Sequence, residues 1–196
     1  MSRLKILFTG VGGQGTLLAS RILGEAAIEA GIEAISSEVH GMAQRGGVVE
    51  TSLLLGGQKS PLISDGESDI MVSFEPLETI RSLNKCSKKS IIITNTTPIM
   101  PFTVTLGMSQ YPDIQNWIKF MQDNFKKVYA VDADSMAKEC GSPKSVNILL
   151  LGILSGVGLL PLSMDVIKNA IKNRIKPNLY EANIKAFEKG IEVSKC

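Results

Sequence analysis

The turn Gly10-Val11-Gly12-Gly13-Gln14-Gly15 constrains this chain more than any other stretch of it. An apolar, β-prone run at residues 4–9 leads into the turn. Residues 16–30 leave it with Leu17, Leu18, Ile22, Leu23, Ala26 and Ala27 at helical spacing, and Gly31 ends that helix. Strand, glycine turn and helix in that order open an α/β sheet, and backbone N–H groups of such a turn receive a phosphate or another anion. The spacing is the GxGxxG of dinucleotide sites, with Glu38 placed to hold a ribose. A plainer account stands beside it, in which the glycines only permit a tight turn and close helix–strand packing. The GxxxxG frame followed by Thr16 lacks the lysine of a phosphate-binding P-loop, which argues against nucleotide hydrolysis.

Strand and helix patterns alternate downstream. Residues 33–37 read as a short strand, 38–47 as a glycine-rich loop, 48–55 as a strand, 56–57 as a turn and 70–74 as a buried strand. Glu75-Pro76-Leu77 opens a helix reaching about Leu83, and 90–95 repeats the strand pattern. Pro98 and Pro101 exclude a central strand over 96–106 and imply an edge hairpin or an extended loop. Ile114, Trp117, Ile118, Met121 and Phe125 share one helical face, for which core packing is a simpler account than a ligand box. Residues 127–132 form a last strand, and helices through 166–174 and 182–191 close the chain. The most apolar stretch, 148–160, falls short of the roughly 20 residues needed to span a membrane. It reads as a buried helix whose Gly152 and Gly156 admit another backbone, in the core or at a subunit contact. The expectation is one domain over residues 1–196: an α/β three-layer, Rossmann-like fold with a mainly parallel sheet and a helical C-terminal third.

Charge and cysteine usage narrow the function classes. With 21 basic against 19 acidic side chains the net charge is +2, too small a footprint for a nucleic acid. The apolar N-terminal run is broken by glycines too early for an export signal. Cys86, Cys140 and Cys196 match no disulfide, metal or cluster spacing, so they read as thiols in a reducing cytoplasm and no metal site is expected. Asp65-Gly66 reads as a β-turn and not as part of a metal–diphosphate motif. His40, the sole histidine, sits with Glu38, Gln44 and Arg45 where an open parallel sheet brings its loops together. A histidine beside a carboxylate moves protons near neutral pH, and an arginine clamps a carboxylate or phosphate with two parallel hydrogen bonds. Alternatively, both residues only fasten the loop.

The strings GVGGQGTLLASRIL, SEVHGMAQRGG, the SPLI to FEPLE stretch, VDA and NILLLG occur here in that order. Together they resemble the gamma-type domain of 2-oxoacid:ferredoxin oxidoreductases over residues 5–187, and HGMAQRGG resembles the indolepyruvate type. The resemblance implies oxidative decarboxylation of a 2-oxoacid on thiamine diphosphate. Electrons would leave through 4Fe–4S clusters to ferredoxin, and coenzyme A would take the acyl group. This chain has no CxxC and no GDG segment with a downstream asparagine. Thiamine diphosphate, magnesium and the clusters are therefore expected on a larger partner subunit, and the chain is not expected to act alone. The role left for it is to wall the active site. Gly10, Gly12, Gly13, Gln14, Gly15, Gln44 and Gly46 would face coenzyme A or the partner, with His40 and Arg45 as catalytic candidates. The competing reading is a free-standing NAD- or FAD-binding module.

Overall fold

Alternating apolar side chains on each strand supply two buried faces, and helices cover both. In the computed structural model, which describes residues 3–41 and 47–195, six strands form one sheet in the order β2-β3-β1-β4-β5-β6. They are β1 Leu4–Val11, β2 Ala34–His40, β3 Val48–Leu55, β4 Ser68–Ser73, β5 Cys86–Asn95 and β6 Lys127–Val131. The helices are α1 Thr16–Glu29, α2 Pro76–Arg81, α3 Phe102–Thr105, α4 Ile114–Asn124, α5 Ala133–Glu139, α6 Val146–Gly156, α7 Met164–Arg174 and α8 Pro177–Ser194.

Ile6, Phe8, Ile70, Val72, Ile91 and Ile93 face one way and pack with α1, α6, α7 and α8. Leu7, Met71 and Ile92 face the other way, toward Met121 of α4 and Ile63. Period-two alternation divides each strand between two cores, so the central strands are apolar on both sides. β1, β4, β5 and β6 pair in parallel, whereas β3 runs antiparallel to both β1 and β2. Five strands therefore point the same way and one is reversed, a mainly parallel sheet with one mixed flank.

The reversal corrects one expectation. Residues 38–40 belong to β2 and not to a loop, because β3 pairs with them: Glu38 lies opposite Thr51 and His40 opposite Val49. Residues 96–106 hold no hairpin. Pro101 stands at the entry of the short helix α3, and the chain around it is irregular. Helix α5 was not anticipated; Asp132 caps it by accepting the Ser135 N–H at 3.0 Å. β5 also begins earlier than its apolar core suggests, at Cys86.

Gly152 and Gly156 serve the core. A Cβ on Gly152 would stand 2.1 Å from the Phe187 carbonyl oxygen and 3.1 Å from the Gly190 Cα, so α6 and α8 touch backbone to backbone.

Candidate functional site

β1 and β4 are neighbours whose helices leave in opposite directions. α1 covers the face of Ile6 and Phe8. α2 covers the other face, where its end meets β1 through the hydroxyls of Ser82 and Thr9 at 3.2 Å. Such a switch point is where open α/β sheets form a ligand crevice outside the strand ends. Here Gln14 fills it. Its side-chain oxygen accepts the Val11 N–H at 2.9 Å and its amide donates to the Phe74 carbonyl at 2.8 Å, joining the ends of β1 and β4. Asn95 extends the seam to β5 and α5: it donates to the same Phe74 carbonyl at 3.2 Å and to Asp134 at 2.8 Å, and accepts the Ala133 N–H at 3.1 Å.

The glycines of the turn divide by purpose. A Cβ on Gly10 would meet Gln14 at 2.8 Å and Phe74 at 3.0 Å. One on Gly15, where φ is +81°, would meet Asn147 of α6 at 2.6 Å. Both positions exclude side chains by packing. Gly13, at φ +99°, has open space around it and Gly12 has only ordinary contacts, so these two border solvent. The Gly12 N–H donates to the Gly47 carbonyl at 2.9 Å, which ties the turn to the chain entering β3.

An open cleft of about 470 Å³ lies beside this turn, lined by Gly12, Gly13, Thr16, His40, Arg21 and Arg174, among others. His40 and the turn thus come together at one sheet edge, as the sequence implies. Gln44, Arg45 and Gly46 lie outside the described residues. Gly15 has no side chain to cap α1, and the first N–H groups of a helix lack partners within it. The Thr16 hydroxyl is also buried without a hydrogen-bond partner among the described residues. Both cleft arginines are matched by acids. Arg21 lies 3.5 Å from Glu38, and Arg174 grips Glu25 with two nitrogens.

Sequence reasoning missed Glu75, Glu78, Asn95, Asn147, Arg21 and Arg174. Glu75, 1% exposed, caps α2 by accepting the Glu78 N–H at 3.0 Å, and its other oxygen accepts the Ile99 N–H at 3.2 Å and the Tyr111 hydroxyl. The Glu-Pro step before an apolar run was the available signal for the cap; nothing local pointed to Ile99 or Tyr111. Burial raises the Glu78 carboxyl above its ordinary 4.5, against the opposing pull of Arg81. One Glu78 oxygen bonds Arg81 at 2.6 Å while the other is buried without a partner. The fold therefore holds this proton more tightly than the unfolded chain does. Stability contributed by the protonated form is lost as pH climbs from about 4.5 through the raised value. Glu78→Gln is expected to remove that component, so urea midpoints compared from pH 4 to pH 8 should fall less steeply than in the parent. Equal slopes would refute the assignment.

The dinucleotide reading loses support on two counts. β3 stands between β1 and β2, displacing Glu38 to roughly 10 Å from the glycine strand, two strand spacings instead of one. Gln14 also closes the switch-point crevice between the ends of β1 and β4, leaving only the α1 side of the turn open.

Comparison with known proteins agrees with the other reading. Residues 5–193 match the pyruvate ferredoxin/flavodoxin oxidoreductase family. The indolepyruvate oxidoreductase subunit IorB of Thermococcus kodakarensis is 37% identical over 197 residues, covering 100% of this chain and 98% of that one. A keto/oxoacid ferredoxin oxidoreductase gamma subunit from Geobacter sulfurreducens superposes with a TM-score of 0.72 at 24% identity, covering 98% of each chain. The 2-oxoglutarate:ferredoxin oxidoreductase of Magnetococcus marinus superposes with a TM-score of 0.74 at 19% identity, covering all of this chain but only 31% of that one. The chain therefore belongs to the pyruvate ferredoxin/flavodoxin oxidoreductase family, as a small subunit of a 2-oxoacid:ferredoxin oxidoreductase.

Proposed function

We propose that this chain is the non-thiamine, non-cluster subunit of an indolepyruvate or other arylpyruvate enzyme, and that its carboxyl sheet edge completes an active site whose reactive groups sit on a larger subunit. The single observation that carries this reading is the convergence of the 10–15 turn and His40 on one open cleft. The donor set favours the division of labour. Among the described residues no three His, Cys, Asp or Glu side chains gather to hold a metal ion. The Cys86 thiol is buried and pushed up to about 12 by desolvation, which opposes the thiolate a cluster requires. Thiamine diphosphate, magnesium and 4Fe–4S clusters are accordingly assigned to the partner.

Overall, a 2-oxoacid loses carbon dioxide, two electrons pass to ferredoxin, and coenzyme A takes the acyl group on sulfur. The cleft suits the anionic part of coenzyme A, which the Magnetococcus enzyme of the same fold was solved with. The N–H groups of the first turn of α1 would receive a phosphate, favoured there by the helix dipole. Gly12 and Gly13 leave room for it because neither position carries a side chain. Arg45 would clamp a second anionic group, and His40 would hold or release a proton at the thiol or carboxylate. The subunit is assigned to the cytoplasm, where Cys86 and Cys140 stay reduced.

The test is turnover of indolepyruvate by the purified chain mixed with its large subunit. Arg45→Ala is expected to raise the KM for coenzyme A or for the 2-oxoacid by about 10- to 100-fold, the loss of one charge-assisted clamp, with assembly intact. His40→Ala is expected to lower kcat with assembly intact. Unchanged kinetics in both variants would sink the site assignment.

A further inference from the structure

A soluble surface normally carries charge every few residues, yet no charged side chain occurs between Lys89 and Asp113. The first part of that span is the buried strand β5, where charge has no place. The second part is not buried. Ile99, Met100, Phe102, Leu106 and Met108 are between 44% and 75% exposed, all on the irregular segment that carries α3. Clustered exposed apolar side chains without charge are the composition of an interface centre and not of a free surface.

The segment is also held in shape. Glu75, at the carboxyl end of β4, fixes it at two points with one oxygen, accepting the Ile99 N–H and the Tyr111 hydroxyl. The Thr96 N–H donates to the Val131 carbonyl at 2.9 Å, and the Thr97 hydroxyl donates to Asp132 at 3.0 Å. Within it, Ser109 bonds Thr103 at 3.1 Å and the Met108 N–H reaches the Thr103 carbonyl at 2.8 Å. Spending a buried carboxylate on a display of apolar groups reduces the ordering that binding must impose on them.

We propose that this clamped, uncharged segment, residues 98–110, is the surface on which the larger, thiamine-bearing subunit docks. The proposal rests on the reading above and adds where the partner sits. Two observations select this occupant. In the Magnetococcus enzyme the same fold is 31% of one polypeptide, whereas the Thermococcus relative is a separate subunit, so noncovalent contact must there replace a covalent link. The segment also leaves the carboxyl end of β5, on the edge that holds the cleft at β1 and β2. The distance along the edge is roughly 10 Å to β1 and roughly 20 Å to β2, two and four strand spacings. A partner footprint of about 800 Å² reaches from one to the other.

The experiment measures association of the full chain with its separately purified large subunit, together with turnover of the mixture. Phe102→Asp and Met108→Asp, at side chains that support nothing inside the fold, are each expected to weaken association about 30-fold or more while thermal unfolding of the isolated chain is unchanged. Ile28→Asp, equally exposed but at the far end of α1, is expected to bind as the parent does. If the parent pair associates and turns over but both segment variants bind equally well, the docking assignment is overturned and the functional reading survives. Variants that abolish only self-association of the chain overturn the docking assignment in the same way. If the parent chain neither binds nor activates the large subunit, the functional reading falls, and the docking assignment falls with it.

Discussion

Gly190→Ala is expected to lower the unfolding free energy by about 3 kcal/mol or more, a fall of roughly 6–12 °C in Tm. Alanine is ordinarily the better helix residue by about 1 kcal/mol, so the usual sign is reversed. The added Cβ would lie 2.1 Å from the Leu149 carbonyl oxygen, 2.8 Å from the Ile153 nitrogen and 3.0 Å from the Gly152 carbonyl carbon. All three are backbone atoms of α6, and no rotamer relieves them; only moving one helix off the other would. Gly152→Ala meets the Phe187 carbonyl at 2.1 Å and should cost about as much. Gly156→Ala is the internal control. Its sharpest conflict is with the Ser194 hydroxyl, which can swing aside, but the Ser194 Cβ at 2.9 Å and the Ile191 Cα at 3.1 Å stay in place, so a smaller loss of about 1–2 kcal/mol is expected. Thermal and urea unfolding of the three variants measure the order directly. A Gly190→Ala protein as stable as the parent would show that α6 and α8 pack elsewhere than described.

Glu75→Ala is the second large effect, expected at about 3–5 kcal/mol because three donors lose one buried acceptor group. They are the Glu78 N–H at the start of α2, the Ile99 N–H and the Tyr111 hydroxyl. Burial first, and then the bond to Glu75, push the Tyr111 hydroxyl above its ordinary value, so it stays a donor throughout the working pH range. Glu75→Gln should recover most of the loss, since the amide oxygen still serves Ile99 and Tyr111 while the NH2 group opposes the Glu78 N–H. Tyr111→Phe should cost about 1–2 kcal/mol. Hydrogen exchange at Ile99 is the specific readout. It should accelerate in Glu75→Ala well before the sheet amides do, and exchange that rises everywhere together would mean that Glu75 supports only the global fold.

The strands were legible because burial on both faces leaves a plain mark. Ile6-Leu7-Phe8, Ile70-Met71-Val72 and Ile91-Ile92-Ile93 are apolar without interruption, as parallel central strands are. The direction of β3 was legible in principle: the link over 41–47 is too short for the helical crossover that a parallel neighbour needs. The glycine turn was legible as backbone geometry. Its four glycines could not announce that Gly10 and Gly15 are there for Phe74 and Asn147, residues far along the chain. Gln14 shows the limit most clearly, because a polar residue inside a ligand fingerprint turns inward to stitch two strands. Glu75 was visible only as part of a helix start. Its bonds to Ile99 and Tyr111 span 24 and 36 positions and leave no periodic trace. Around α3 the prolines rightly excluded a central strand and left an extended loop as one alternative, but they do not say that its apolar side chains are exposed.

The reversed strand β3 has a consequence for the order in which the molecule assembles. β2, β3 and β1 are joined by one short link and one helix, all within the first 55 residues; β2 pairs with its sequence neighbour β3, and β3 reaches back over 37 to 51 positions to β1. The pairing of β4 with β1 spans 64 positions, farther than either pairing within that group, and β4 reaches its place only by a crossover. Contacts between distant parts of a chain form late, since loop closure has to precede them. The nascent polypeptide therefore holds a three-stranded platform with one bare margin, the open side of β1, until β4 arrives to cover it.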